Sequence, residues 1–151
     1  MNTSFRLCPD ADILYAMDAV WWQHHMPEVK RTFTGERWSI VRVADVALVR
    51  FQLHCLNGGA GAIALAAKLG ALRVFLLGYD AQKTGGRAHW HGDHPRGMGN
   101  AGKSALWPAQ FAELRSWLDH RVDVINLSRE TAITCFRRGT VEEYLNPGVK
   151  R

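Results

Sequence analysis

The chain has 151 residues, of which 47% are apolar and 22% are charged. This length supports a single domain, residues 1–151, with its own hydrophobic core, and the composition excludes a disordered protein. The 19 basic and 14 acidic residues give a net charge of +5. Because the basic residues are spread along the chain, they predict a solvated surface rather than a nucleic-acid interface, and a small anionic ligand suits the same charge.

Three further features predict a cytoplasmic protein that does not enter a membrane. The N-terminus lacks the apolar region of a signal peptide, and Lys68 and Arg73 interrupt the longest apolar stretch before it could span a bilayer. The three cysteines are Cys8, Cys55 and Cys135, which are far apart and lack CxxC spacing. This pattern is typical of reduced thiols.

The first third of the chain predicts two short strands. Residues 12–18 have the apolar pattern of a strand that ends in an acidic residue, and residues 38–43 show partial alternation. Between them, the aromatic residues 21–25 predict a short helix or turn, and Pro27 is expected to begin one further helical turn. Residues 45–54 fit both helical and strand periodicity, so no element is assigned to them.

The central stretch has the pattern of a crossover between parallel strands. Asn57, Gly58 and Gly59 open a helix of small residues, and Gly70 ends it as a C-terminal cap. Residues 73–78 then form an apolar run that is too short for a helix and suits a buried parallel strand. The sequence therefore predicts a parallel α/β sheet.

The end of that strand is the expected position of a ligand site. The strand runs into Tyr79 and Asp80 and then into a polar loop, and parallel sheets bind ligands beyond the carboxyl ends of their strands. The free N–H groups and positive helix end after Asn57 suit a phosphate. The alternative interpretation is that Gly58 and Gly59 serve only a tight turn and close helix packing.

A second candidate site lies in the loop of residues 89–94. His89, His91, Asp93 and His94 have the spacing H-x-H-x-D-H, which resembles the first metal motif of the metallo-β-lactamase superfamily. Imidazole and carboxylate groups would bind zinc or another divalent metal and activate a water molecule. The alternatives are a structural or adventitious metal and an ordinary polar loop without metal. If the protein is a transferase, a histidine of this loop would act as the general base, because imidazole has a near-neutral pKa.

The last third of the chain repeats the strand and helix pattern. Pro108 opens a helix whose apolar residues share one face. Residues 122–127 predict another buried strand, followed by a turn over residues 128–134. Because this turn follows the carboxyl end of a strand, it is a candidate for a second ligand loop. Thr140 and Glu143 have the spacing of a capping box, which predicts a short C-terminal helix.

Residues 69–80, with the Asn-Gly-Gly helix start before them, resemble the MptE-like Rossmann family and the bacterial Cst-type sialyltransferases, and above all small phage-encoded proteins of this type. Residues 124–133 and Asn2, which matches the end of the family's second strand, extend the resemblance. It implies a Rossmann-like three-layer α/β domain with a mostly parallel sheet. Because the family begins with a strand and a glycine loop ahead of Asn2, the implied fold is N-terminally shortened. Its open sheet edge would be covered by a second subunit in a homodimer.

The resemblance also implies a pocket for a nucleotide or nucleotide-sugar. In the sialyltransferases the matching positions contact a CMP donor, and the expected ligand-binding residues here are Asn2, Asn57, Gly58, Gly59, Tyr79 and Asp80. The family's catalytic histidine would fall at residues 103–104, which carry no histidine. A glycosyl transfer by this chain is therefore expected to use His89, His91, Asp93 or His94.

Three functional hypotheses follow. The first is a glycosyltransferase-type enzyme that binds a nucleotide-sugar. The second is a non-catalytic protein that sequesters or senses a nucleotide. The third is a metal-dependent hydrolase that uses the loop of residues 89–94.

Overall fold

The computed structural model of the protein describes residues 2–53, 57–82 and 104–145. Within these ranges the chain alternates short strands with helices, and all strand pairs are parallel. The strands are β1 (Ile13–Tyr15), β2 (Glu36–Ser39), β3 (Ala47–Leu48), β4 (Arg73–Leu76), β5 (Asp123–Asn126) and β6 (Arg137–Arg138). The helices are α1 (Ala19–Thr32), α2 (Gly58–Lys68), α3 (Trp107–Leu118) and α4 (Val141–Leu145), with 3-10 turns at Asn2–Arg6 and Ser104–Leu106.

The strands form two parallel sheets of three strands each. Their orders are β1-β2-β3 and β4-β5-β6, which match the sequential order within each half of a doubly wound fold. The protein therefore has the predicted α/β, Rossmann-like fold. We call β1 to β3 with α1 the first half, and β4 to β6 with α3 and α4 the second half. The fold differs from a continuous six-stranded sheet because no strand pairing joins the two halves in the described ranges.

The first half is held together by aromatic side chains. Trp21 and Trp22 on α1 are buried and cross each other nearly at right angles, with ring centroids 5.1 Å apart. They pack with Phe5 and with β1, and the Nε1 of Trp22 donates a hydrogen bond to the carbonyl of Ala16 at 3.1 Å. The prediction that Pro27 begins a helical turn was wrong, because it lies inside the 14-residue α1. The buried face of the helix continues past it to Val29, and this packing offsets the missing N–H.

Helix α2 begins and ends as predicted. The side chain of Asn57 accepts a hydrogen bond from the N–H of Ala60 at 2.8 Å, which satisfies one of the free donors of the first turn. Gly70 follows the helix with a φ of 95°, a conformation that favours glycine. The helix packs against both halves, since Leu65 contacts the cluster around Tyr15 while Ile63 lies in the core of the second half.

The second half has its core between its sheet and the helices α2 and α3. Phe111, Leu114 and Leu118 lie on the predicted face of α3 and are buried. Val124 and Leu76 meet them from the sheet. The capping box is also confirmed: Glu143 accepts a hydrogen bond from the N–H of Thr140 at 2.9 Å, and the Thr140 hydroxyl accepts one from the N–H of Glu143 at 3.2 Å.

The first strand was predicted over residues 12–18, but β1 spans only Ile13–Tyr15, and Asp18 lies at the start of α1. Two other strands also differ from the prediction. The second strand is Glu36–Ser39 rather than residues 38–43, because the Ser39 hydroxyl accepts a hydrogen bond from the N–H of Val41 and turns the chain away. The strand Arg137–Arg138 was not predicted, because two exposed arginines carry no apolar signal. No helix in the described ranges has the length and apolar character required to cross a bilayer.

Candidate functional site

A network of buried polar groups lies at the carboxyl ends of β4 and β5. Asn126, the last residue of β5, is fully buried. Its Nδ2 donates hydrogen bonds to the carbonyl of Tyr79 at 3.4 Å and to the hydroxyl of Thr131 at 3.1 Å, and its Oδ1 accepts one from the N–H of Ser128 at 3.0 Å. The amide of Asn126 therefore ties together the chain segments that leave the two strands.

The backbone of Tyr79 is fixed from both sides by this network. The N–H of Tyr79 donates to the Ser128 hydroxyl at 2.7 Å, and the carbonyl of Tyr79 accepts from the Thr131 hydroxyl at 2.6 Å. One residue further on, the carbonyl of Asp80 accepts from the N–H of Ala132 at 2.8 Å. The loop after β4 thus has a defined path through Tyr79 and Asp80.

The N-terminus of α2 opens beside Tyr79. The Tyr79 hydroxyl lies 3.5 Å from the carbonyl oxygen of Gly59. The Asn57 side chain caps the helix through its Oδ1, and its Nδ2 donates to the Oε1 of Gln110 on α3 at 2.8 Å. Asn57 is therefore locked by two hydrogen bonds. The N–H groups of Gly58 and Gly59, as the first in the helix, have no acceptor within it.

The glycine at position 59 has a packing reason of its own. A Cβ atom there would lie 3.0 Å from the Phe111 ring, 3.0 Å from the Tyr79 ring and 3.2 Å from the Oδ1 of Asn57. Those distances are too short for an unstrained contact. Close packing of α2 against its neighbours thus favours glycine at position 59 whether or not a ligand binds.

The electrostatics of this end of the sheet combine a neutral phenol with positive partial charge. Burial raises the pKa of the Tyr79 phenol above its ordinary value, so it stays protonated at neutral pH and can donate a hydrogen bond. The N-terminus of α2 carries the positive pole of the helix dipole. Together they suit an anionic, oxygen-rich group.

The structure brings most of the predicted ligand-binding residues together. Asn57, Gly58 and Gly59 at the start of α2 lie next to Tyr79, and Asp80 follows it directly. Asn2 is different: it begins a 3-10 turn with a φ of 46° instead of ending a strand. That turn packs against β1 and α1, and within the described ranges no hydrogen bond joins it to Asn57 or Tyr79.

The predicted catalytic and metal-binding residues, His89, His91, Asp93 and His94, lie outside the described residues. The transfer, base and metal predictions made for them therefore stay predictions. Elsewhere, the described ranges contain no group of three or more His, Cys, Asp or Glu side chains placed to hold a metal ion.

Gln110 and Asn126 were not predicted as site residues, whereas Ser128 and Thr131 lie in the turn that was predicted as a candidate ligand loop. Each meets a partner about 50 positions away in the chain, namely Asn57 or Tyr79. The only local signal was that the turn of residues 128–134 follows a buried strand. Comparison of the chain with family models, with the sequences of characterised proteins and with solved structures finds no match to any of them.

Proposed function

We propose that the protein binds a nucleotide or nucleotide-sugar at the carboxyl ends of β4 and β5, with a phosphate at the start of α2. The observation that carries this proposal is the position of the α2 N-terminus, which opens directly beside Tyr79 with its cap residue Asn57 already fixed. A helix start with free N–H groups is a recurrent site for phosphate in parallel α/β proteins.

The fixed geometry supports binding because it reduces the entropic cost of ordering the site. Asn57 is held by Gln110, and the Tyr79 backbone is held by Ser128 and Thr131. Donors that are already oriented lose little freedom when a ligand arrives. In the proposed complex the N–H of Gly58 faces the phosphate, and the Tyr79 hydroxyl turns from the carbonyl of Gly59 to donate to a neighbouring ligand oxygen.

Two substitutions at position 57 that differ in charge can distinguish the role of Asn57 in ligand binding from its role as a helix cap. Asp and Ser both replace Asn effectively as cap residues, so Asn57→Asp and Asn57→Ser keep the first turn of α2. Both variants lose the hydrogen bond from the Nδ2 of Asn57 to Gln110, so the comparison between them isolates the charge: only Asp adds a negative charge at the proposed phosphate position. We expect Asn57→Asp to bind at least about tenfold more weakly, a loss of about 1.4 kcal/mol, while Asn57→Ser stays within about threefold of the original affinity.

The measurement is isothermal titration calorimetry with CMP, UMP, AMP, GMP and their nucleotide-sugars, with the melting temperature of each variant as the folding control. A ligand at a hundred times its dissociation constant should also stabilise the folded protein by about 2.7 kcal/mol. The proposal is wrong if no compound of this panel binds. It is also wrong in its placement of the phosphate if Asn57→Asp binds as tightly as the unchanged protein.

Turnover is a separate question, and the same panel addresses it. In the transferase hypothesis a nucleotide-sugar releases its nucleotide over hours while its sugar passes to an acceptor hydroxyl or to water. Replacement of His89, His91 or His94 by Gln then stops the release without weakening binding. In the binder hypothesis the nucleotide-sugar is recovered intact. In the hydrolase hypothesis the release requires an added divalent metal and stops with a chelator.

A further inference from the structure

A groove of about 680 Å³ lies at the opposite end of the second sheet from the proposed nucleotide site. Leu72 and Val122 line it immediately before β4 and β5 begin, so the groove is at the amino ends of these strands. The chain after β3, the end of α2 and the end of α3 form its walls. The side chains that decide its chemistry are Arg50, Phe51, Lys68, Leu72, Trp117 and Arg121.

The charged residues of the groove are all basic. Arg50, Lys68 and Arg121 line it, and no described residue of the lining carries a carboxylate. Arg121 is held in place by hydrogen bonds from its Nε and Nη2 to the carbonyls of Leu118 and Trp117 at 3.2 and 2.9 Å. Lys68 has no hydrogen bond or ion pair in the described part of the chain.

Helix dipoles account for part of this charge. Lys68 lies in the last turn of α2, and Arg121 follows α3, so both offset the negative end of a helix. Arg50 has no such role, because it belongs to neither helix; its Nη1 donates a hydrogen bond to the carbonyl of Ile40 at 3.3 Å. The groove therefore has one more basic residue than the two helix ends account for.

The remaining surface of the groove is apolar and partly aromatic. Phe51 and Trp117 are half-buried, and the side chain of Leu72 is 80% exposed. The guanidinium of Arg121 lies 5.7 Å from the centre of the Trp117 ring. Single exposed leucines are common on proteins, but here one completes an apolar wall with two aromatic rings.

We propose that this groove is a binding site for a small organic anion that carries a flat apolar ring system, such as an aromatic carboxylate, sulfonate or phosphate. Its volume is in the usual range for small-molecule sites. The rings of Phe51 and Trp117 pack against a flat apolar body, and Lys68, Arg50 and Arg121 hold the anionic group. This site is separate from the one proposed for nucleotides, since the length of β4 and β5 divides them.

Two fluorescent probes that differ in one group test the proposal. 8-Anilinonaphthalene-1-sulfonate has the ring system and an anion, whereas N-phenyl-1-naphthylamine has the same rings without the sulfonate. We expect the sulfonate to bind saturably with one site per chain, and the neutral probe to bind at least tenfold more weakly. Equal affinity of the two probes, or sulfonate binding that does not saturate, would overturn the proposal.

Matched variants then locate the bound probe. Lys68→Glu should weaken the binding of the sulfonate at least tenfold, whereas Arg42→Glu makes the same charge change at an exposed position outside the groove and should change it less than twofold. Leu72→Asp should also weaken the binding of the sulfonate. Leu77 is a 59% exposed leucine at the other end of β4, and Leu77→Asp should leave the binding unchanged.

Each remaining outcome also decides the question. Equal weakening by Lys68→Glu and Arg42→Glu would mean that only the net charge matters, and the proposal would fall. If Lys68→Glu does not fold, as judged by its melting curve, the comparison of Leu72→Asp with Leu77→Asp decides alone. Asn57→Asp should leave the binding of the sulfonate unchanged, and a loss there would place the probe at the nucleotide site instead.

Discussion

The two halves of the protein have the same strand order but are stabilised by different interactions. The first half depends on aromatic packing, in which Trp21, Trp22 and Phe5 cover β1. The second half adds a buried hydrogen-bond network, in which Asn126 connects the ends of β4 and β5. The hydrophobic effect does not depend on the direction from which apolar groups meet, whereas a hydrogen bond requires a defined distance and angle between its atoms. The comparison teaches that the half with the fixed strand ends is the better scaffold for a binding site.

The largest effect is expected from the aromatic core of the first half. Trp22→Ala removes a side chain that is fully buried and donates a hydrogen bond, so it should lower the free energy of unfolding by about 3 to 5 kcal/mol. Trp38→Ala, in β2 and only partly buried, is the matched control and should cost less. Equal losses in urea denaturation would show that burial of Trp22 is not what stabilises this half.

Asn126→Ala should destabilise the second half by about 2 to 3 kcal/mol, because it leaves the buried N–H of Ser128 without its acceptor. The effect should be local as well as global. Hydrogen exchange at Tyr79 and Ser128 should become faster than the loss of global stability alone explains. Exchange in β2 should become faster only by the amount that this loss explains. If β2 and the Tyr79 loop lose protection to the same degree, the two halves open as one unit and the contrast between them is only structural.

The contact between the halves can be tested at Gly61. A Cβ atom there would lie 2.3 Å from the hydroxyl oxygen of Tyr15, which belongs to the other half and is buried. Although alanine favours a helix by about 1 kcal/mol over glycine, Gly61→Ala should destabilise the protein by about 1 to 3 kcal/mol through overpacking. Tyr15→Phe in the same chain should recover part of this loss. A stabilised Gly61→Ala variant would show that the halves are not in close contact.

The smallest effect concerns the surface of the first half. Glu28 accepts two hydrogen bonds from Arg6, at 2.8 and 2.6 Å, and these hydrogen bonds lower the pKa of the Glu28 carboxyl. A lowered folded-state pKa means that the stabilisation is present above the unfolded-state pKa of about 4.3 and is lost as the pH falls through the folded-state value. Because Arg6 is about half exposed, the contribution should stay under about 1 kcal/mol.

The test for Glu28 is urea denaturation at pH 7 and pH 3. Glu28→Gln should be slightly less stable than the unchanged protein at pH 7, and this difference should become smaller at pH 3. Glu113→Gln, which changes an exposed residue of α3, should show no such pH-dependent difference. A Glu28→Gln variant as stable as the unchanged protein at pH 7 would show that this ion pair contributes nothing.

The sequence predicted the elements whose signals are local. Helix α2 was predicted from its cap Asn57 and from Gly70, α4 from Thr140 and Glu143, and β4 from its apolar run. The Pro27 helix was predicted too short, because the burial that sustains it comes from contacts with β1 and with the 3-10 turn.

The site could be predicted only in part, for the same reason. Asn57, Gly58, Gly59 and Tyr79 lie in a continuous pattern, and their proximity follows from the topology of a crossover. Asn126 and Thr131 meet Tyr79 across about 50 positions, and no periodicity or spacing marks such a contact. The basic groove depends likewise on three chain segments that approach one another only in the folded protein.

The carboxylate of Asp123 has a consequence for how the second sheet assembles. Its Oδ2 accepts hydrogen bonds from Arg73 on β4 at 3.0 Å and from Arg137 on β6 at 2.9 Å. A slip of either outer strand by one residue would turn its arginine to the opposite face and leave this acidic group without that partner. Asp123 thus helps to set the register of three strands that are too short for their apolar pattern to set it. It disfavours shifted strand pairings as well as stabilising the native pairing.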